Sequence, residues 1–522
     1  MTDPPRTDPP PVDPAGPAGA GQQAVDAGIA GSATVVESRV ARRRRAQRPV
    51  AGRTTAIVAV ALVVAAVALV SALTPPPSMP PAPVVGNGVT VSPSDARSSS
   101  FFCATGAGVD AGSGATGVVV LTNTNRAPAS GVMSTVGTSG GEPVRRALTV
   151  PPLGTTEVTP AAGRPAGATA STFSFLGGGV TGTAIVTGPA GWSTAPCASE
   201  VSSQWDFAGG STSSGLLDLS LYNPTAAPAL VDVTFLTVSG NVLDPQPYQG
   251  IDVAPGELTV EGLGAYVQNQ PVVATLVQSS SGSLVATELD QMAVSGGTGL
   301  ALLSGSPAPA PTWRFAQTTA VRGGSVELTL ANPGTSPVTA EITVGLPAAS
   351  VEPHQVSVPG LTVVTFGASS VAGWPLGSPY SLTVAASAPI VVGRTVVGPA
   401  GAAAPRGGIT MGTSTTATSW LIVGPGVSGS PAVPGAARDS LALANPGSAP
   451  LTVTVTPLTG GRPLATVRVP GDGVSVLGAG EVGGLRPLVV TASGPVSVEA
   501  DSGPSGAPGS VSSAGFPFAS GS

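Results

Sequence analysis

One block, written four times, constrains this chain more than any other feature: an alternating apolar strand, then Asn, then Pro five residues later. The copies read Val119, Leu121, Asn123, Pro128; Leu219, Leu221, Asn223, Pro228; Leu328, Leu330, Asn332, Pro337; and Leu441, Leu443, Asn445, Pro450. Successive Asn markers lie 100, 109 and 113 residues apart. That is the length of a small β-sandwich domain and far too long for a solenoid repeat. Asn bonds its own backbone to start a turn, and Pro224, Pro333 and Pro446 directly after it fix φ there.

Two further landmarks recur with the marker. Each copy opens on an apolar strand with a bulky ring: Phe101 and Phe102, Trp205 with Phe207, Trp313 with Phe315, and Trp420 with Ile422. Each also carries a Val-rich strand that ends at Pro, at Val150 and Pro151, Val253 and Pro255, Val358 and Pro359, and Val469 and Pro470. Leu217, Leu219, Leu221 and Val231, Val233, Phe235 alternate with period two, the signature of half-buried strands. The chain holds 72 Gly and 55 Pro, yet Val is abundant and alternates with Thr and Ser, so the pattern is short strands with many turns rather than disorder. The reading is all-β: four tandem immunoglobulin-like antiparallel sandwich modules over 98–199, 200–308, 309–415 and 416–522, with six or seven strands in each. A closed arrangement like a four-bladed propeller is the alternative, although about 105 residues per blade is long for it.

Upstream the character changes. Residues 1–53 are rich in Pro, Ala and Gly and cannot bury enough apolar surface to fold. They end in Arg42, Arg43, Arg44, Arg45, Arg48 and Arg53. Such a run suits nucleic acid, but the apolar stretch that follows favours a membrane. Ala56–Leu73 is uncharged and long enough to cross a bilayer core or nearly so, which predicts a transmembrane helix over 54–73. The basic cluster then stays cytoplasmic and the bulk of the chain lies outside. A cleaved signal, with Ser71 and Ala72 as small residues at its end, is the competing reading; the long tail before the stretch argues against it. Residues 74–97 carry Pro75, Pro76, Pro77, Pro80, Pro81 and Pro83 in their first ten positions and read as a semi-extended spacer.

Little here looks like catalysis. The two cysteines, Cys103 and Cys197, flank the first module, and outside the membrane an even pair reads as a disulfide worth about 4–5 kcal/mol for a loop of this length. No metal or cofactor is expected, since two Cys and the single His354 are too few ligands. Paired acids would suit glycoside hydrolysis, and Asp218, Asp232, Glu257, Glu261, Glu288 and Asp290 all fall in the second module. They read as ordinary solvent-facing strand positions, Asp218 and Asp232 occupying the polar phase of alternating strands. Trp205, Trp313 and Trp420 recur at one position and read as core. Trp192 and Trp374, each after a Gly, are assigned to loops and are the candidate ligand contacts.

The stretch from Trp205 through Asn223 and Pro228 to Val253-Ala254-Pro255-Gly256, repeated in later modules, resembles a widespread bacterial surface module. The whole layout of Arg-rich tail, single span, Pro spacer and Cys-bearing first module is similar to an actinobacterial family of membrane-anchored proteins of unknown function. That resemblance covers residues 42–522 and carries no catalytic residue. It implies a loose association with envelope glycosyltransferase genes. The expected role is a non-enzymatic, single-pass membrane protein with its C-terminal bulk extracellular, acting as an envelope scaffold or adhesion module on a cell-wall polysaccharide or envelope protein. The alternative is a lectin-like protein that assists glycan assembly or export. Nucleic acid is not an expected partner.

Overall fold

Apolar alternation resolves into antiparallel sheet. The computed structural model describes residues 89–109, 114–162, 167–213, 215–294, 297–347, 351–399, 407–423, 436–483, 486–504 and 511–518. The expected tail 1–53 and span 54–73 lie outside them, as does the spacer up to residue 88. Among the described residues no helix is long and apolar enough to cross a membrane. Module 1 runs β1 (Ser98–Val109), β2 (Thr116–Asn123), β3 (Ala129–Gly137), β4 (Val144–Val150), β5 (Gly154–Val158), β6 (Gly167–Leu176), β7 (Val180–Gly188) and β8 (Gly191–Pro196). An outer sheet takes the order β1-β6-β3-β4 and an inner sheet the order β5-β2-β7-β8. Phe101, Leu121, Met133 and Phe173 are sealed among the buried residues of one cluster.

The inner order repeats in every module. In module 2 it is Leu258–Gly262, Gly215–Tyr222, Val285–Val294 and Gly297–Ser304; in module 3, Thr362–Gly367, Ser325–Asn332, Tyr380–Val397 and Gly407–Met411; in module 4, Gly473–Gly478, Ala436–Asn445, Leu488–Pro504 and Val511–Ala514. In modules 3 and 4 the counterparts of β6 and β7 are one continuous strand that passes from outer to inner sheet. Module 2 breaks that strand at Gly282, whose φ of 75° and whose missing Cβ, 2.5 Å from the Pro228 carbonyl oxygen if built, admit no other residue. The connectivity departs from the immunoglobulin order, in which the first two strands pair in one sheet. Here β1 pairs β6, and β2 lies in the other sheet.

The marker Asn does more than start a turn. Asn123 is fully buried; its Oδ1 accepts from the Asn125 N–H, while its Nδ2 donates to the carbonyls of Ala127, Val150 and Pro151. It therefore ties the end of β2 in the inner sheet to the end of β4 in the outer one. Asn332 repeats this with Gly334, Ser336, Val358 and Pro359, and Asn445 with Gly447, Ala449, Val469 and Pro470. Asn223 joins Thr225, Ala227 and Val253. Two of the sequence landmarks are thus one device. Asn332→Ala strands several polar groups out of water and is expected to cost about 2–4 kcal/mol. Urea denaturation of the variant checks this, and a loss under about 1 kcal/mol would show the bonds to be replaceable.

The four modules belong to one compact body, Pro81–Ser522, and they pack as a propeller-like ring. β8 and its counterparts Gly297–Ser304, Gly407–Met411 and Val511–Ala514 each touch the next around a common axis. A Cβ on Gly299 would sit 2.3 Å from the Gly407 carbonyl oxygen, so glycine permits that approach. Closure falls between modules 4 and 1, where Leu421, Val423, Leu458 and Phe516 pack with Val120, Ile185 and Trp192. Val89 and Val91, inside the expected spacer, are buried in the same cluster. The closed alternative is therefore the arrangement found, with each blade a two-sheet sandwich. Closure also covers the inner edge strands that a linear array would leave open.

Candidate functional site

Alternation alone assigns a strand residue to core or solvent, but in a ring many outward faces meet another module. Asp218 points away from the core of module 2, as its phase requires, yet it is only 8% exposed. Burial pushes its carboxyl up to about 6. Glu288 and Asp290 correct the solvent-facing reading outright. They lie opposite Leu219 and Leu217 in the register, on the core side of the sheet, and both are fully buried. Neither Glu288 oxygen has a hydrogen-bond partner. Asp290 accepts from the Ser211 N–H through Oδ2 only. Burial drives both carboxyls up to about 8. Asp206, missed in the sequence, is another sealed acid, raised by burial to about 7 and bonded by Gln204. The rest serve local structure: Asp232 accepts from Gly250 N–H, and Glu257 from Ala254 N–H. Glu261 is half-buried on the edge strand Leu258–Gly262. No substrate reaches Glu288 or Asp290 in this arrangement.

The aromatic candidates are inside as well. Trp192 lies within β8 rather than a loop and is 4% exposed at the closing junction, because the fourth module covers that face. Trp374 is 9% exposed, its ring against Phe366 and Tyr380. Neither offers a stacking platform. Trp205, Trp313 and Trp420 are core, each indole N–H donating to a backbone carbonyl. His354 stands exposed on an edge strand, 4.8 Å from the Phe366 ring. Cys103 and Cys197 form a disulfide, Cα to Cα 4.7 Å, that joins β1 of the outer sheet to the end of β8 in the inner one.

Open space lies at the seams. One cleft of about 570 Å³ opens between modules 4 and 1 beside Asn125, Arg126, Gly460 and Phe518. One of about 210 Å³ opens between modules 2 and 3 beside Ser211, Glu327 and Ile409. One of about 140 Å³ opens between modules 3 and 4 beside Arg314, Thr383 and Ser497. The module 3–4 seam also holds a buried ion pair that sequence reasoning missed. Arg394 Nη2 meets Glu499 Oε1 at 2.5 Å, both nearly inaccessible, and the guanidinium also bonds the Gln317 carbonyl and Thr318 Oγ1. Its carbon lies 5.0 Å from the Phe315 ring centroid. One signal was present: Arg394 is the single charged residue of Tyr380–Val397.

A family model whose description is "Family of unknown function (DUF5719)" matches residues 161–472. No curated protein matches the chain. Among solved structures, a tetra-tandem repeat in the extending region of a large adhesion protein is similar at 13% identity over 76% of this chain and 93% of that one, with a TM-score of 0.12.

Proposed function

Given that the chain belongs to the DUF5719 family, whose function is unknown, we propose that it is a non-catalytic scaffold of the cell envelope, held by one membrane span and presenting its ring outside the cell. Ring closure is the observation that carries this reading. A ring of sandwiches sealed by an apolar junction is a stiff platform, and rigid elements present partners at less entropic cost than linked, mobile domains. The disulfide fits an oxidising compartment, and the Arg cluster before Ala56–Leu73 fits a cytoplasmic tail.

The outer sheets supply the docking edges. β4 ends its sheet, with Val144, Arg145, Arg146 and Ala147 all exposed. Strand addition at such an edge takes affinity from main-chain hydrogen bonds and specificity from alternate side chains. Leu176 is 83% exposed and Leu230 41%, also on outer sheets. The lectin-like alternative loses its motivation once Trp192 and Trp374 are buried.

Photo-reactive residues placed singly at Val144, Leu176 and Leu230 in living cells are expected to capture a discrete envelope protein at one or more outer-sheet positions. The same cells kept from irradiation serve as the control. Capture of no protein at any outer position would count against the scaffold reading.

A further inference from the structure

We propose that the cleft between modules 3 and 4 is a binding site for an oxyanion, a phosphate or carboxylate group carried by a small ligand. The inference goes beyond the scaffold reading and does not depend on it.

The site grows from one strand position. In Ala310–Thr318, Trp313 and Phe315 enter the core of module 3, so Arg314 between them faces the other way. Arg314 stands opposite Thr383, and Thr383 opposite Thr343, so a guanidinium and two hydroxyl groups sit side by side on one sheet face. Gly345 and Ser381 form the next rung along. Gly345 leaves room there, since a Cβ would sit 2.3 Å from Ser381 Oγ. Module 4 contributes the facing wall, with Ser497 and Asn445.

The groups are arranged but not satisfied. Arg314 is half-buried, yet its Nε is sealed from solvent and donates to nothing. Among the described residues no carboxylate oxygen lies within 4.0 Å of its guanidinium nitrogens. Ser497 is fully buried, and its Oγ also lacks a partner. A cation taken partly out of water without a counter-charge is costly, and the same seam shows how the fold avoids that cost elsewhere. Arg394 meets Glu499 directly, whereas Arg314 meets a void of about 140 Å³. A planar guanidinium flanked by hydroxyl donors matches the oxygens of a phosphate or carboxylate, which accept two parallel N–H bonds. The void is too small for an oligosaccharide. Asp472 stands exposed at the cleft, held at a left-handed φ of 50°, and its charge opposes a bound anion.

The test titrates the purified full chain by calorimetry with inorganic phosphate, acetate and glucuronate, which separates a phosphate from a carboxylate source. At least one is expected to bind. Arg314→Gln is expected to weaken that binding at least ~10-fold, and Ser497→Ala a few-fold. Asp472→Asn is expected to tighten it by removing a repelling charge, an effect that a merely structural role for Asp472 would not produce. No binding of any probe up to about 10 mM, or unchanged affinity in Arg314→Gln, would overturn the site. Should Arg314→Gln not fold, Asp472→Asn decides: affinity unchanged or weakened overturns the proposal equally.

Discussion

Between pH 5 and pH 8.5 the ring is expected to lose stability as pH rises, by several kcal/mol. The cause is the pair Glu288 and Asp290, sealed in the core of module 2. Burial is the main cause in both; the neighbouring Asp290 charge adds to it at Glu288, and the Ser211 N–H works against it at Asp290. Both carboxyls titrate near pH 8 in the fold, against ordinary values of 4.5 and 3.8. A group whose folded pKa lies above its unfolded one binds its proton more tightly in the native state. The stabilisation is therefore complete below about pH 4 and disappears as pH rises through about 8. Each pH unit of difference is worth about 1.4 kcal/mol, so two such acids set a steep slope even after generous allowance for relaxation. Asp206 and Asp218, raised to about 7 and about 6, add in the same direction. Replacing the pair by Gln and Asn is expected to flatten much of the slope and to raise stability above pH 8. Urea midpoints taken across this range provide the check. A wild-type curve that stays level or climbs from pH 5 to 8.5 would sink the assignment.

Glu499→Ala is expected to cost about 3–5 kcal/mol, out of proportion to one side chain. It removes the carboxylate that Arg394, sealed at 1% exposure, meets across the seam. Gln317 also loses the carboxylate that accepts its N–H at 3.1 Å. Removing both charges with Arg394→Met and Glu499→Leu is expected to recover most of the loss, because apolar residues of similar volume replace buried pairs at little cost. Since these residues tie two modules of a closed body, unfolding should remain a single transition. Indole fluorescence reports on all four modules, through Trp192, Trp205, Trp313 with Trp374, and Trp420. Separate transitions for modules 3 and 4 would show that the seam does not couple them.

Sequence alone determined the all-β class, the fourfold recurrence and the disulfide pairing. Each rests on local information: period-two alternation reports a strand with one apolar face, and an Asn followed by Pro reports a turn. The three recurring Trp were legible as core for the same reason, since one position repeated with one large side chain signals packing. Connectivity within the sandwich was not legible, because nothing local says that β1 pairs β6. The acids failed differently. Alternation tells which face of a strand a residue takes, but the face of Asp218 that looks polar is covered by module 1, and Glu288 and Asp290 break the apolar phase of their own strand. Trp192 followed the same logic, its neighbours being supplied by module 4, some 230 or more residues away. The oxyanion cleft has no local signature, because Arg314 and Ser497 are 183 positions apart in sequence and meet only when the modules dock. What each strand buries toward its own module is thus written in the chain. What it buries toward its neighbours was decided only by ring closure, since burial between modules depends on contacts that no single module contains.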